Sequence, residues 1–364
     1  MASPRWRAHS WRKATDVFAA VVLAVLVALA SWAGVAMVRR YALRRLLDRP
    51  NERSSHTQPT PRGGGLGLTV AHLLGMTAAS MLGLHSLRLA AALAGGGLVV
   101  AMIGFLDDHR PVSPALRLGL HILAFVWAAA WLGWPGCIDF GWGAIPLGWI
   151  GRAMLVLCLA WFLNLFNFMD GIDGIAGLQA LFMAAVGAAL AYMATDGDWT
   201  STTPLVLLGA ATAGFLAWNW PPARIFMGDV GSGYLGFALG VLALWTMAQG
   251  WLTVWVWLIL GGTFIADATV TLLVRARARL RVVEAHRSHA YQRLSRYWNG
   301  HRPVTLAFAV VNFAWLAPWA YCAMRWPDSG FLYAILAVGP LFVLAVLLGA
   351  GRTDELGRAA PTRT

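Results

Sequence analysis

Acidic, amide and histidine side chains occur in five short segments of a chain that is otherwise strongly apolar. The densest segment, residues 164–174, reads Asn-Leu-Phe-Asn-Phe-Met-Asp-Gly-Ile-Asp-Gly. Residues three apart lie on one side of a helix, so Asn164, Asn167 and Asp170 are predicted to share a face. Unpaired polar groups are costly at the end of an apolar helix. We therefore expect these side chains, with Asp173 in the turn that follows, to order a polar reaction centre.

Two further segments supply carboxylates suited to a metal or a phosphate. Asp107 and Asp108 end one apolar stretch. Adjacent carboxylates repel each other, so one of them tends to keep a raised pKa. The pair would suit a metal–phosphate site or a general base. The alternative is a solvated helix cap. Asp229 begins another apolar stretch between glycines, where its oxygens would suit Mg²⁺, or Mn²⁺ in its place, shared with substrate phosphates. The nearby Phe226 could stack on a base or only anchor the chain at the membrane interface.

The remaining two segments carry cations and small residues that could bind phosphate groups. Arg62 precedes Gly63-Gly64-Gly65, and a guanidinium beside bare backbone N–H groups predicts an anion cradle. A flexible linker is the alternative at this position. His286, Arg287 and His289 would bind a polyphosphate through charge and hydrogen bonds. The spacing of the two histidines also leaves a zinc site open.

The composition indicates that membrane-spanning helices hold these segments. Of 364 residues, 59% are hydrophobic and 12% are charged, about half the charge of a soluble domain. This excludes a soluble enzyme, a disordered chain and a disulfide-stapled secreted module. A window of about 20 residues predicts an all-α, polytopic integral membrane protein with eleven transmembrane helices. The predicted spans are 17–37, 66–84, 88–106, 117–134, 150–168, 174–194, 203–219, 231–249, 251–273, 304–323 and 331–349.

The distribution of charge predicts the orientation of these spans. Most of the 28 Lys and Arg residues lie in the loops that also carry the acidic and histidine segments. The positive-inside rule makes that side cytoplasmic, with the N-terminus periplasmic and the C-terminus cytoplasmic. Topology thus accounts for the net charge of +12, and no nucleic-acid partner is expected. We treat 1–364 as one transmembrane domain. Its predicted cytoplasmic active-site loops are 38–65, 107–116, 169–174, 220–230 and 275–302.

This combination of side chains predicts phosphoryl transfer at the cytoplasmic face, with a lipid as one substrate. A transporter or flippase for a lipid-linked sugar is the main alternative, and it would place polar groups near the middle of the bilayer. Asp267 lies inside a predicted span, where an ionisable residue is a functional candidate, although it could instead pair with an arginine of a neighbouring helix. A membrane scaffold that recruits soluble glycosyltransferases is a further alternative.

In combination and order, the motifs resemble those of the polyprenyl-phosphate N-acetylhexosamine-1-phosphate transferases of glycosyltransferase family 4, which include phospho-MurNAc-pentapeptide translocase. The shared segments are Pro59–Gly65, Asp107-Asp108, Asn164–Gly174, Phe226–Ser232 and His286–His289. The resemblance implies transfer of a sugar 1-phosphate from a UDP-N-acetylhexosamine to undecaprenyl phosphate, with Mg²⁺ and release of UMP. It also implies a multi-pass protein of the bacterial inner membrane, and a homodimer is left open.

The resemblance further implies a role for each motif. Asp107 would be the base or activating carboxylate for the lipid phosphate, with Asp108 beside it, and Asp229 would hold Mg²⁺ against the UDP diphosphate. Asp173 and Phe226 would meet the uracil. The resemblance also implies that the reaction centre is ordered by Asn164, Asn167 and Asp170, and that the sugar-phosphate end is bound by His286, Arg287 and His289.

Residues 285–291 look closest to the branch that initiates O-antigen with N-acetylated 6-deoxyhexosamines such as FucNAc or QuiNAc. The translocase has a run of adjacent histidines where this chain has His286-Arg287-Ser288-His289. It also has a lysine shortly after its aspartate pair, where this chain has Arg110-Pro111. Both differences argue against a MurNAc-pentapeptide substrate. The eleven predicted spans, against ten in the translocase, also suit the O-antigen branch. The expected process is therefore the first membrane step of O-antigen, lipopolysaccharide or a related cell-surface polysaccharide.

Overall fold

The computed structural model describes residues 5–48, 58–280 and 286–352, with backbone alone for residues 5–13. The described part is almost entirely helical. Its helices are α1 (Arg5–Arg45), α2 (Gly65–Met81), α3 (Leu87–His109), α4 (Pro114–Leu132), α5 (Trp149–Phe168), α6 (Ile175–Ala194), α7 (Trp199–Asn219), α8 (Asp229–Ala248), α9 (Val254–Leu260), α10 (Gly262–Arg277), α11 (Ala290–Tyr297), α12 (His301–Val310), α13 (Ala317–Arg325) and α14 (Gly330–Leu347). Two short antiparallel hairpins pair β1 (Leu47–Asp48) with β2 (Thr60–Pro61), and β3 (Cys137–Asp139) with β4 (Ala144–Pro146).

The prediction of an all-α polytopic membrane protein is confirmed. Among the described residues, nine helices are long and apolar enough to cross a membrane, and α12 and α13 join through a π-helical turn into one of them. Helices α9 and α10 form a tenth candidate that is bent by 76°. The shorter α2, with 17 residues, matches the predicted span 66–84. Each predicted span thus has a helical counterpart, and the count of eleven crossings stays a prediction.

Helical structure extends further into the predicted loops than the sequence indicated. Helix α1 has 41 residues and is longer than the roughly 30 Å hydrocarbon core requires, because its arginine-rich end continues the helix to Arg45. Arg39 Nε in this extension donates to Arg224 O at 3.1 Å. The predicted loop at 38–65 is therefore wrong for residues 38–45. Its segment 49–57 lies outside the described residues, as do residues 281–285 of the predicted loop 275–302.

Helix α8 is the centre of the bundle and carries Asp229 at its first position. It contacts α2, α3, α4, α5 and α6, and the apolar part of α8 is fully buried. Small residues allow such close packing between membrane helices. A Cβ atom on Gly65 would lie 2.1 Å from Gly231 Cα, and one on Gly104 would lie 2.6 Å from Asp229 O. The backbones of α2 and α3 thus pack directly against the first turn of α8.

We expect Gly65→Ala to destabilise the protein, because the added methyl group meets backbone that cannot move aside. Overpacking of this kind costs about 1–3 kcal/mol. The measurement is the melting temperature of purified protein in detergent. Gly119→Ala is the matched control, since a Cβ on that exposed glycine of α4 has no atom within 4 Å. Equal melting temperatures for Gly65→Ala and the parent protein would contradict the close packing of α2 on α8.

Candidate active site

Asp108 fixes the beginning of α8 from a neighbouring helix. Its Oδ1 accepts the Asp229 N–H at 3.1 Å and its Oδ2 accepts the Val230 N–H at 3.2 Å. The first N–H groups of a helix have no acceptor within that helix, so a carboxylate satisfies them and also suits the positive end of the helix dipole. The Asp108 side chain is only 2% exposed. This geometry favours a capping role for Asp108 over proton transfer.

The first loop is held against the segment that precedes α8. Arg62 Nε lies 3.4 Å from Asp108 Oδ1, and a second Arg62 nitrogen donates to Asp108 O at 2.5 Å. The Gly64 N–H donates to Phe226 O and the Gly65 N–H to Met227 O, both at 2.9 Å. Because these two glycine N–H groups already have acceptors, the predicted anion cradle is wrong at Gly64 and Gly65. Arg62 stays partly exposed and Phe226 is half-buried.

Asp107 and Asp229 are bridged by an arginine that lies outside the sequence motifs. Arg117, in the first turns of α4, donates to Asp107 Oδ2 and lies 3.5 Å from Asp229 Oδ2. Asp107 Oδ1 also accepts the Val112 N–H at 2.6 Å. Arg117 Nε is buried and has no acceptor among the described residues. One guanidinium therefore balances two carboxylates and keeps an unused N–H.

Asp170 lies just beyond the end of α5 and adds a third carboxylate to this group. Burial raises its pKa well above the usual value, and the charges of Asp229, Asp108 and Asp173 raise the pKa further. Among the described residues no hydrogen bond to its carboxylate is found. A cation beside Asp170 and Asp229 would relieve this repulsion.

The two asparagines of α5 lie in the last two turns of the helix before Asp170. Asn164 Nδ2 donates to Ala160 O at 2.7 Å and lies 3.5 Å from Nδ1 of the buried His121 on α4. The Asn167 carbonyl accepts the Asp170 N–H at 3.2 Å. Asn164 and Asn167 lie on one helix as predicted, whereas Asp170 follows the helix end.

Asp173 joins three parts of the chain through its own contacts. Its Oδ2 accepts the Ala223 N–H at 3.0 Å, and its Oδ1 lies 3.2 Å from His301 Nδ1. Thr305 donates to the Asp173 carbonyl at 2.9 Å. With both carboxylate oxygens engaged and the side chain 12% exposed, this placement favours anchoring of the 220–224 loop and α12.

The histidine segment 286–289 directly precedes α11 and contacts α10 through Asp267. The rings of His286 and His289 stack with centroids 5.0 Å apart, and His286 Nδ1 lies 3.0 Å from Ser288 Oγ. Burial lowers the pKa of His286 to about 3, helped by His289 and Arg275, so the ring is neutral at pH 7. His289 is 2% exposed and donates through Nδ1 to Asp267. Of the three predicted phosphate-binding side chains, Arg287 is thus the exposed one.

Comparison with known proteins identifies the family to which this arrangement belongs. Residues 90–247 match the family model described as glycosyl transferase family 4. A phospho-N-acetylmuramoyl-pentapeptide-transferase of Moorella thermoacetica is 35% identical over 240 residues, which cover 61% of this chain and 70% of the relative. The chain belongs to glycosyl transferase family 4.

Two other relatives extend the similarity beyond the family model. A probable undecaprenyl-phosphate N-acetylglucosaminyl 1-phosphate transferase of Bacillus subtilis is 28% identical over 284 residues, or 76% of this chain and 77% of the relative. A decaprenyl-phosphate N-acetylglucosaminephosphotransferase of Mycolicibacterium smegmatis is 28% identical over 337 residues, which cover 82% of this chain and 80% of the relative. The resemblance to the polyprenyl-phosphate hexosamine-1-phosphate transferases is thereby confirmed. The family 4 chain is accordingly a multi-pass membrane protein.

The carboxylates of the family 4 chain fit a divalent ion that is shared with a substrate. Among the described residues no group of three or more His, Cys, Asp and Glu side chains is placed to hold a metal by itself. Magnesium, however, is usually bound by one or two carboxylates together with substrate phosphates and water. Asp170 and Asp229 provide hard oxygen ligands whose charges are only partly balanced. This donor set suits Mg²⁺ or Mn²⁺, which prefer oxygen ligands.

An apolar cavity of about 190 Å³ lies between α5, α6, α8, α9 and α10. Its walls include Leu165, Met183, Gly240, Trp257 and Ile265. Leu165 is the lining residue of α5 nearest in the chain to Asp170, whereas the lining of α8 begins at Leu239, ten residues after Asp229.

Proposed function

We propose that this family 4 protein transfers an N-acetylhexosamine 1-phosphate from a UDP-sugar to undecaprenyl phosphate, giving undecaprenyl-diphosphate-sugar and UMP. The observation that carries the proposal is the cluster of Asp107, Asp170 and Asp229 with Arg117, at the point where apolar helices end. A polar centre at the end of membrane helices suits the meeting of a polar nucleotide-sugar with a lipid phosphate. The names of the relatives support the same reaction class.

Asp229 and Asp170 would hold Mg²⁺, or Mn²⁺ in its place, together with the diphosphate of the donor. When bound, the metal would offset negative charge on the transferring phosphoryl group. Arg117 would supply positive charge at the same place, because its fork of donors suits a phosphate.

The proposed reaction is a direct in-line displacement. An oxygen of the lipid phosphate forms a bond to the phosphorus that carries the sugar, and the bond from that phosphorus to the oxygen of the UMP portion breaks. A phosphate monoester loses its second proton with a pKa of about 6, so the lipid phosphate is largely ionised at pH 7 without a strong base. Asp107 would then position Arg117 and the lipid phosphate, and electrostatic stabilisation would supply most of the catalysis.

The other predicted residues would surround the two substrates. Arg62 and Arg287 are exposed enough to reach phosphate oxygens, and His286 is neutral and suited to a hydrogen bond with the sugar. Phe226 would stack on the uracil, near the loop that Asp173 anchors. The remaining proposed contributors to the reaction centre are Asn164, Asn167, Asp108 and His289.

The apolar cavity along α5 would take part of the isoprenoid chain, since its lining is almost wholly hydrocarbon. A lipid phosphate held near Asp170 would then be joined to a chain that runs along α5 past Leu165 into this cavity. Hydrophobic walls and a polar end match the two parts of an amphiphilic substrate.

We further propose that residues 1–364 act as one transmembrane domain in a bacterial inner membrane. The site would face the cytoplasm on the segments 46–65, 107–116, 169–174, 220–230 and 275–302, with the N-terminus periplasmic. Charge distribution supports this orientation. The process would be the first membrane step of O-antigen, lipopolysaccharide or a related cell-surface polysaccharide.

The polar groups inside the bundle give little support to the transporter alternative. Gln179, Thr263 and Asn312 are buried near the bend between α9 and α10, but they hydrogen bond to one another. Asn312 donates to Gln179 Oε1 at 2.6 Å, and Gln179 Nε2 donates to Leu260 O at 2.9 Å. Polar groups with these mutual partners stabilise the bend and leave few hydrogen bonds for cargo.

The test uses purified protein, undecaprenyl phosphate and Mg²⁺ with UDP-GlcNAc, UDP-GalNAc, UDP-FucNAc, UDP-QuiNAc and UDP-MurNAc-pentapeptide in turn. We expect UMP release with at least one N-acetylhexosamine donor, and only when the lipid phosphate is present. The donor that responds would identify the branch. Absence of UMP from every donor, with protein that melts cooperatively, would refute the transferase proposal.

A further inference from the structure

Asp267 is the most completely hydrogen-bonded acidic side chain inside the bundle. It lies on α10 and is 3% exposed. Its Oδ1 accepts hydrogen bonds from Thr271 Oγ1 at 3.1 Å, His289 Nδ1 at 3.2 Å and the Ala290 N–H at 2.9 Å. Its Oδ2 accepts the Tyr291 N–H at 2.9 Å. Because both oxygens accept hydrogen bonds, these contacts indicate a structural role for the carboxylate.

These contacts make Asp267 the cap of α11. That helix begins at Ala290, and its first N–H groups need acceptors from outside the helix. A carboxylate at this position satisfies two of them and also interacts favourably with the positive end of the helix. The helix start is thereby fixed to α10, which ends thirteen positions earlier in the chain, at Arg277.

Tyr291 connects α11 to the turn that contains Asp170. Its ring is fully buried, and its hydroxyl donates to Phe168 O at 3.2 Å. Burial raises the pKa of the Tyr291 hydroxyl well above its usual value, so the hydroxyl remains a donor. A Cβ on Gly171 would lie 2.2 Å from this hydroxyl oxygen and 2.8 Å from Gln292 Nε2. Helix α11 thus packs directly on residues 168–171.

The same cap orients the histidine segment. His289 donates to Asp267 and stacks on His286, and Ser288 Oγ accepts a hydrogen bond from Arg275 at 3.4 Å. Asp267 and Arg275 lie about two helical turns apart on α10. Helix α10 therefore contacts the segment 286–289 through two side chains, Asp267 and Arg275.

We propose that Asp267 is a positioning residue for the transfer reaction: it caps α11, and through Tyr291 it sets the backbone that places Asp170 beside Asp229. This inference rests on the proposed function for its kinetic consequences, but the structural coupling can be measured without substrate. A role of Asp267 in carrying ions is disfavoured by its four donors. The adjoining cavity of about 250 Å³, lined by side chains such as Leu294, Phe308 and Leu341, is also mainly apolar.

The test compares Asp267→Asn, Tyr291→Phe and the double variant by hydrogen–deuterium exchange of full-length protein in detergent. Asparagine keeps the shape of the side chain, but it replaces one acceptor by a donor that faces an N–H group. We expect faster exchange in Asp267→Asn at residues 286–292 and also at 168–172. Tyr291→Phe should speed exchange at 168–172 alone. Thr271→Val, which removes one hydroxyl donor to Asp267, is the control and should leave residues 168–172 as in the parent protein.

Turnover provides the second readout. We expect Asp267→Asn to lower kcat on the order of 10²-fold, the effect of misplacing a reacting group by about 1 Å, with the KM for undecaprenyl phosphate unchanged. The double variant should be no slower than Asp267→Asn, because both changes act through one contact. Unchanged exchange at 168–172 in Asp267→Asn, or additive losses of kcat, would overturn the proposal. A parent protein inactive with every UDP-sugar would instead refute the proposed function, and the exchange data would still decide the coupling.

Discussion

Asp229→Asn is expected to lose nearly all transfer activity while the protein stays folded. The substitution keeps the Asp229 N–H that donates to Asp108, so the first turn of α8 remains capped. It removes the charge that faces Arg117 and that would bind the metal. Loss of one preorganised electrostatic partner lowers kcat by roughly 10²–10³-fold, and a metal ligand should lie at the upper end of that range. The measurement is UMP release at saturating Mg²⁺, together with the melting temperature.

Asp328→Asn is the control for Asp229→Asn, because Asp328 lies in the short turn Pro327–Ser329 beyond α13 and far along the chain from the site. It should behave as the parent protein. Mg²⁺-dependent turnover of Asp229→Asn within tenfold of the parent would contradict the metal-binding role of Asp229. A membrane scaffold would be insensitive to the change, so the same pair of variants tests that alternative.

Arg117→Met is expected to lower kcat by roughly 10²-fold and, at the same time, to tighten the apparent affinity for Mg²⁺. The guanidinium balances Asp107 and Asp229 in the substrate-free protein. Its removal leaves the carboxylates more attractive to a divalent ion, because a competing positive charge is gone. The transferring phosphate, however, loses a donor. The measurement is kcat and the Mg²⁺ concentration for half-maximal rate.

Arg117→Lys should fall between the parent and Arg117→Met, since lysine keeps the charge but not the fork that reaches two carboxylates. Arg88→Met is the control, because Arg88 is exposed at the opposite end of α3 from Asp107. A parallel fall of kcat and Mg²⁺ affinity in Arg117→Met would contradict the competition between the guanidinium and the metal. It would indicate that Arg117 only maintains the shape of the site.

The sequence predicted the helical array well because hydropathy alone decides whether a segment can cross a bilayer. It could not predict the bend between α9 and α10, since residues 251–273 form one continuous apolar run. The bend depends on hydrogen bonds among Gln179, Thr263 and Asn312, which come from three distant helices. A pattern along one segment does not contain that information.

The residues of the site were easier to predict than their roles. Acidic residues at helix ends stand out in an apolar chain, and Asp107, Asp170 and Asp229 are brought together as expected. Which N–H groups Asp108 and Asp173 would accept depends on how distant helices pack, so their capping was not predicted. Arg117 and Tyr291 were missed because an arginine near a membrane interface and a tyrosine in a basic loop are both commonplace. No signal in one sequence separates them from their neighbours.

The capping of helices by distant carboxylates has a consequence for biosynthesis. Asp108 is synthesised 121 residues before the N–H group of Asp229 that it accepts, and Asp267 precedes Ala290 and Tyr291. While the nascent chain enters the membrane, Asp108 therefore has no α8 partner. Its position at a helix end lets water solvate the charge during that interval, whereas a carboxylate in the hydrocarbon core would carry a much larger penalty. The candidate site is thus complete only after residue 291 has been synthesised, so under the proposed function we expect a chain that ends earlier to be inactive.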